Sequence, residues 1–139
     1  QLPAFRAVAG NLRLMYAQFE ELESFARFGT QLDDETRAKL TRGQRVREVL
    51  KQREHQHLSV TQQIATLLAA TEGLFDDMPL DDIAEAEATV QGAVQHAMPD
   101  LCTRIGKGEK MGPDDRDALI RTMREALDPA KDEAQDGNT

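Results

Sequence analysis

The sequence predicts an all-α fold, a compact multi-helix bundle of about five to six helices with short connections and roughly antiparallel neighbours. Three observations carry that expectation. Apolar residues recur at alternating spacings of three and four. Helix start and stop signals separate the periodic segments. No stretch alternates polar and apolar residues as a half-buried strand requires.

The first segment has the strongest period. Phe5, Val8, Leu12, Met15, Phe19, Leu22 and Ala26 fall on one face of a helix about 24 residues long. Pro3 suits its first turn, Glu23 and Arg27 stand at i,i+4 spacing, and Gly29 is placed to cap the C-terminus. The stripe reads as bundle core or as a coiled-coil seam, with core favoured. Gly10 interrupts it at a cost of about 1 kcal/mol relative to alanine, which marks a place for close approach of another backbone. Leu14, Phe25 and Phe28 lie off the stripe and widen the surface expected to be buried.

Asp33 and Asp34 offer an N-cap and an acidic first turn to a second helix carrying Leu40, Val46, Val49 and Leu50 and ending near Gln52. Ser59 and Gln62 form an S-x-x-Q capping box for a third, with Val60, Ile64, Leu67, Leu68, Thr71 and Phe75 on one stripe and a stop near Asp77. Pro79 opens a fourth, with Ile83, Ala86 or Glu87, Val90, Val94 and Ala97 inward, and Pro99 closes it. A short fifth segment carries Leu101 and Ile105. After the glycine-rich turn from Gly106 to Gly112, Pro113 starts a last helix with Leu119, Ile120, Met123 and Leu127 inside. The expected organisation is a helical domain over 1–127 and a polar acidic tail over 128–139 that is disordered.

A chain of 139 residues buries roughly two-thirds of its unfolded surface and needs neither metal nor disulfide. The single cysteine, Cys102, forms no intramolecular bridge. A net charge of −8 repels a phosphate backbone, and no apolar run approaches the roughly 20 residues that span a bilayer. Nucleic-acid binding and membrane insertion are therefore not expected. The start at Gln1 without methionine, with the first period already running by Phe5, is expected of a piece of a longer protein.

Chemistry-bearing patterns are sparse. Gly106-Lys107-Gly108-Glu109-Lys110 lacks the P-loop spacing, so it reads as a surface turn. His55 and His57 lack a third ligand, and His96 suits a helix C-terminus. Asp76, Asp77, Asp81 and Asp82 lack calcium-loop spacing, and helix capping accounts for the last two. Cys102 has no neighbouring histidine and reads as an inert, half-buried thiol. No catalytic, cofactor-binding or metal-binding residue is assigned. Residues 37 to 53 hold seven basic side chains, Arg42 and Arg45 among them, against one acid, Glu48. They make either a solvated face or a docking face for an acidic protein, because no aromatic residues interleave to stack on bases.

Several ordered strings resemble the C-terminal domain of the F-type ATP synthase alpha subunit. Arg6 to Leu14 (RAVAGNLRL), Ala17 to Leu22 (AQFEEL) and Phe25 to Asp33 (FARFGTQLD) match the run that begins that domain. Thr41 to Arg45, Val49 to Gln52, Ser59 to Gln63, Glu72 to Asp76 and Met78-Pro79 continue it, so that the resemblance extends over about residues 3–127. Met15 and the segment 53–57 depart from the family pattern, as in a divergent or second, ion-specialised ATP synthase.

The resemblance implies a domain without catalytic residues, following a RecA-like nucleotide-binding domain. It implies packing beside the C-terminal domains of beta subunits around the central-stalk gamma subunit, supporting rotary ATP synthesis or hydrolysis coupled to ion (hydrogen ion) transport. The family's arginine finger falls upstream of this chain, and Arg6 lies beyond its position. No cofactor belongs to this segment; ATP or ADP and Mg are implied for the full subunit. Localisation is implied on the cytoplasmic side of the inner membrane, peripheral, within the soluble head, with oligomerisation only in the full complex. By the same resemblance the turn Thr30-Gln31-Leu32-Asp33-Asp34 faces the stalk, and Arg42 and Arg45 complete the expected partner contacts. The competing readings are an independent helical module docking an acidic partner through residues 37–53, and a helical nucleic-acid regulator.

Overall fold

A computed structural model describes residues 2–28, 31–53 and 56–128, and the described residues contain helices and turns but no strand. The helices are α1 (Pro3–Ala26), α2 (Asp34–Arg53), α3 (Val60–Thr71), α4 (Ile83–Ala97), α5 (Pro99–Gly106) and α6 (Pro113–Leu127), with a 3-10 turn at Leu80–Asp82 before α4. Gly29, Thr30, His55 and the tail from residue 129 lie outside the described residues.

α3 is the axis of the bundle and packs against each of the other five helices. Its sequence explains why. Every residue from Ile64 to Ala70 is buried, so it is covered all round rather than along the single stripe that periodicity suggested. The one polar member, Thr66, donates its hydroxyl to the Gln62 carbonyl at 2.8 Å and accepts from Gln91 at 3.1 Å, so no bare hydroxyl enters the core. Ser59 and Gln62 make the expected reciprocal capping box.

The stop of α3 differs from expectation. Gly73 takes φ +83°, its N–H donates to the Ala70 carbonyl at 3.3 Å, and the Leu74 N–H donates to the Ala69 carbonyl at 2.9 Å. This left-handed glycine cap ends the helix at Thr71, well before Asp77. Phe75 is still fully buried, but it enters the core from a turn. Asp81 and Asp82 are not side-chain caps either, because Pro79 and Asp82 hold the cap positions without a side-chain bond. α5 ends on the same kind of cap: Gly108 has φ +95° and the Glu109 N–H donates to the Arg104 carbonyl at 3.1 Å. Helix termination therefore explains the glycine of the Gly-Lys segment.

α4 buries Ile83, Ala86, Glu87, Val90, Gln91 and Val94, while Ala97 is exposed. Ala86 and Glu87 both face inward. Glu87 is 0 % exposed and neither carboxyl oxygen has a hydrogen-bond partner. Burial, assisted by the nearby Glu48 carboxylate of α2, pushes its carboxyl up to about 8 from 4.5. The folded state therefore holds a proton that the unfolded state releases near 4.5. This contribution to stability is fully present below pH 4.5 and is lost as pH rises through about 8. Urea titrations from pH 4.5 to 9 are expected to show that decline in the parent protein and a flatter profile in Glu87→Gln; parallel profiles would contradict it.

Candidate partner-docking surface

α1 and α2 form a helical hairpin whose distal end extends past the main core. The core takes Ala4, Phe5, Val8, Ala9 and Leu12 from α1 and Val46 and Val49 from α2. Beyond these, one further layer holds the two helices together. Phe19 is buried against Gly43, and a β-carbon at Gly43 would stand 2.0 Å from the Phe19 ring. Arg47 closes the layer. Its guanidinium makes two bonds to the Glu23 carboxylate at 2.9 and 2.8 Å, reaches the Tyr16 hydroxyl at 3.2 Å and lies 4.8 Å from the Phe19 ring centre. Hydrogen bonds from Arg47 hold the Glu23 carboxyl below its ordinary value. The salt bridge expected between Glu23 and Arg27 is present but longer, at 3.8 Å.

Before and after this layer, three apolar residues turn outward. Leu14 is 64 % exposed, Phe25 61 % and Phe28 85 %, which reverses the expectation that they widen the buried surface of the protein. Leu14 and Phe25 share one face of α1 by helical period, and Phe28 follows as its N–H donates to the Phe25 carbonyl. Leu14 also borders an open groove of about 770 Å³ between α1 and the α5–α6 turn. Gly10 faces open space and admits no close backbone.

The α2 end of the tip is equally well fixed. Asp33 accepts the Thr36 N–H at 2.7 Å as the expected N-cap, and Arg37 donates to the Leu32 carbonyl at 3.3 Å. Hydrogen bonds from the Thr36 hydroxyl and backbone hold the Asp33 carboxyl below its ordinary value. The hairpin tip thus groups Gln31, Asp33 and Asp34, all exposed, with half-buried Leu32 and the two phenylalanines. Thr30 lies outside the described residues.

Arg42 and Arg45 sit farther down α2 and face inward. Arg42 donates to Asp76 at 3.0 Å and Arg45 to the Met78 carbonyl at 2.7 Å, so both tether the turn that follows α3. Arg53 is also engaged, with Gln63 at 2.9 Å and the Phe5 ring at 4.7 Å. The basic segment is therefore largely internal wiring. Among the described residues no three His, Cys, Asp or Glu side chains group as metal ligands would, and no helix is long and apolar enough to cross a membrane.

The sequence places Phe19 on the buried stripe, as found, but the roles of Gly43 and Arg47 beside it went unread, because a helix-interior glycine alone does not tell a contact such as Gly43 from an open position such as Gly10.

The structure is that of an all-helical domain whose α1–α2 hairpin leaves Phe25 and Phe28 exposed near its tip. The protein belongs to the family of the ATP synthase alpha/beta chain, C-terminal domain, whose model matches residues 1–126. Among its relatives, ATP synthase subunit alpha 2 of Syntrophus aciditrophicus is 54% identical over 127 residues, 91% of this chain and 24% of that protein. ATP synthase subunit alpha 1 of Rhodopirellula baltica is 52% identical over 111 residues, 80% of this chain and 22% of that protein. ATP synthase subunit alpha 1 of Shewanella frigidimarina is 46% identical over 129 residues, 93% and 25% respectively. The similarity within the family is thus to alpha subunits, and the chain spans about a quarter of their length.

Proposed function

We propose that this chain is the helical, non-catalytic C-terminal domain of an ATP synthase alpha subunit, acting as a docking and bearing element of the soluble head. In this reading it packs beside the C-terminal domains of beta subunits, and its α1–α2 tip faces the gamma subunit of the central stalk. It supports rotary ATP synthesis or hydrolysis coupled to ion transport. ATP or ADP and Mg bind upstream, outside this segment, and the complex is peripheral to the cytoplasmic side of the inner membrane.

The observation that carries the reading is the 54% identity to an alpha subunit across 91% of the chain. The exposed Phe25 and Phe28 on a braced hairpin supply the physical counterpart, since rigid apolar groups left in water are suited to burial against a neighbouring subunit. The alternative of an independent module docking an acidic partner through residues 37–53 is not supported: the relatives are alpha subunits, and Arg42, Arg45, Arg47 and Arg53 are all engaged internally.

The test is the double substitution Phe25→Asp with Phe28→Asp in a complete alpha subunit that contains this sequence, co-expressed with beta and gamma. Surface substitutions of this kind change folding stability by about 0.5 kcal/mol or less. The subunit is therefore expected to fold normally while recovery of the assembled head falls. Undiminished assembly with normal ATP hydrolysis would overturn the docking role.

A further inference from the structure

Where the end of α2, the residues leading into α3, α3 itself and α4 meet, the structure leaves a small, partly open cavity of about 10 Å³. It is lined by the apolar Val49, Leu58 and Leu67 and by the polar residues Arg53, Gln56, Gln63, Thr66 and Glu87. Glu87 is fully buried there and neither of its oxygens is hydrogen-bonded within the protein. A carboxyl in that state is costly, since a buried polar group without a partner gives up its hydration and gains no hydrogen bond in exchange.

Its neighbours are fixed but not saturated. Arg53 donates to the Gln63 side-chain oxygen at 2.9 Å, and Gln63 donates its own amide to the Leu58 carbonyl at 3.1 Å. Gln91 donates to the Thr66 hydroxyl at 3.1 Å and, at 3.5 Å, to the Gln56 side-chain oxygen. An amide oxygen accepts two hydrogen bonds, so Gln56 and Gln63 each retain acceptor capacity on the cavity wall. A single water needs roughly 10–15 Å³ of such space and two to four polar partners.

We infer that this cavity is a binding site for one internal water molecule, which bridges the Glu87 carboxyl to Gln56, Gln63 or Thr66 and links α4 to α3 and the α2–α3 connection. Water suits the site better than a cation, because the Arg53 guanidinium is on the same wall and the Glu87 carboxyl, raised by burial and then by Glu48, is protonated at neutral pH. A protonated carboxyl donates one hydrogen bond and accepts others, which matches a water's own needs.

A crystal structure of the protein at a resolution that shows ordered water tests this. The expected result is one water about 2.7–3.2 Å from a Glu87 oxygen and from at least one of Gln56, Gln63 and Thr66. Glu87→Gln is expected to keep that water, and Glu87→Leu to expel it. Magnetic relaxation dispersion in solution should then count one fewer long-lived water for the leucine variant than for the glutamine variant. If Glu87→Leu does not fold, the parent and Glu87→Gln crystals decide. Absence of a water peak in the parent, Glu87 bonded directly to Arg53 or Gln56, or a peak with the short contacts of a bound cation would each overturn the inference.

Discussion

Gly43→Ala is expected to destabilise the protein by roughly 2–3 kcal/mol, although alanine is the better helix former. Two effects compete. Replacing a helix-interior glycine by alanine is worth about 1 kcal/mol of backbone propensity. Against that, the new methyl would stand 2.0 Å from Phe19 Cδ2 and 2.2 Å from Cγ. Phe19 is 2 % exposed, with Tyr16 at 5.8 Å ring to ring and the Arg47 guanidinium close to its face, so the ring cannot simply swing out. Accommodation requires α1 and α2 to separate, which also strains the Arg47 to Glu23 pair. The contrast is Gly10→Ala, where open space lets the propensity gain of up to about 1 kcal/mol appear undiminished. Urea melts of both variants check the opposite signs. Phe19→Ala should make the Gly43→Ala change much milder, a coupling of about 1 kcal/mol or more that only touching residues show.

Phe75→Ala is expected to cost about 3–5 kcal/mol, the range for emptying a buried phenylalanine site. Phe75 is 0 % exposed and belongs to the main core, yet it projects from the turn that follows α3. Its burial is what gives Arg42 and Arg45 something to hold: Asp76 and the Met78 carbonyl lie within three residues of it. Loss of the ring therefore removes a core side chain and frees the turn linking α3 to α4. Chemical denaturation should show the lowered midpoint, and hydrogen exchange should show faster exchange of the Asp76 and Met78 amides, which donate to the Gly73 and Phe75 carbonyls at 3.2 Å. A loss below about 1 kcal/mol would place Phe75 at a site that collapses readily.

Much of the helical order is local and was therefore legible. The 24-residue span of α1, the Asp33 cap, the Ser59 and Gln62 box and the proline opening α6 all rest on residues within a few positions of one another, whereas Pro99, read as closing α4, also opens α5. What was not legible depends on neighbours distant in sequence. Gly10 and Gly43 are alike as helix glycines, and only the packing of α1 on α2 makes the second a contact and the first a surface position. Leu14, Phe25 and Phe28 are apolar in either case. Periodicity places them off the core stripe but cannot say whether this protein or a neighbouring one covers them. The period of α4 leaves Ala86 and Glu87 as alternatives for the inward position, and the burial of both is visible only once the other helices pack on α4.

If the braced α1–α2 tip meets the rotating stalk while this domain takes no part in chemistry, the two surfaces can be joined covalently. Oxidative cross-linking decides this, using a complete alpha subunit with Gln31→Cys in a Cys102→Ser background, assembled with beta and with gamma subunits bearing single cysteines along the stalk. A disulfide between position 31 and gamma is expected, together with loss of rotation that is restored by reduction. A thiol at position 31 that reacts freely with a maleimide yet never joins gamma at any stalk position would contradict the bearing role.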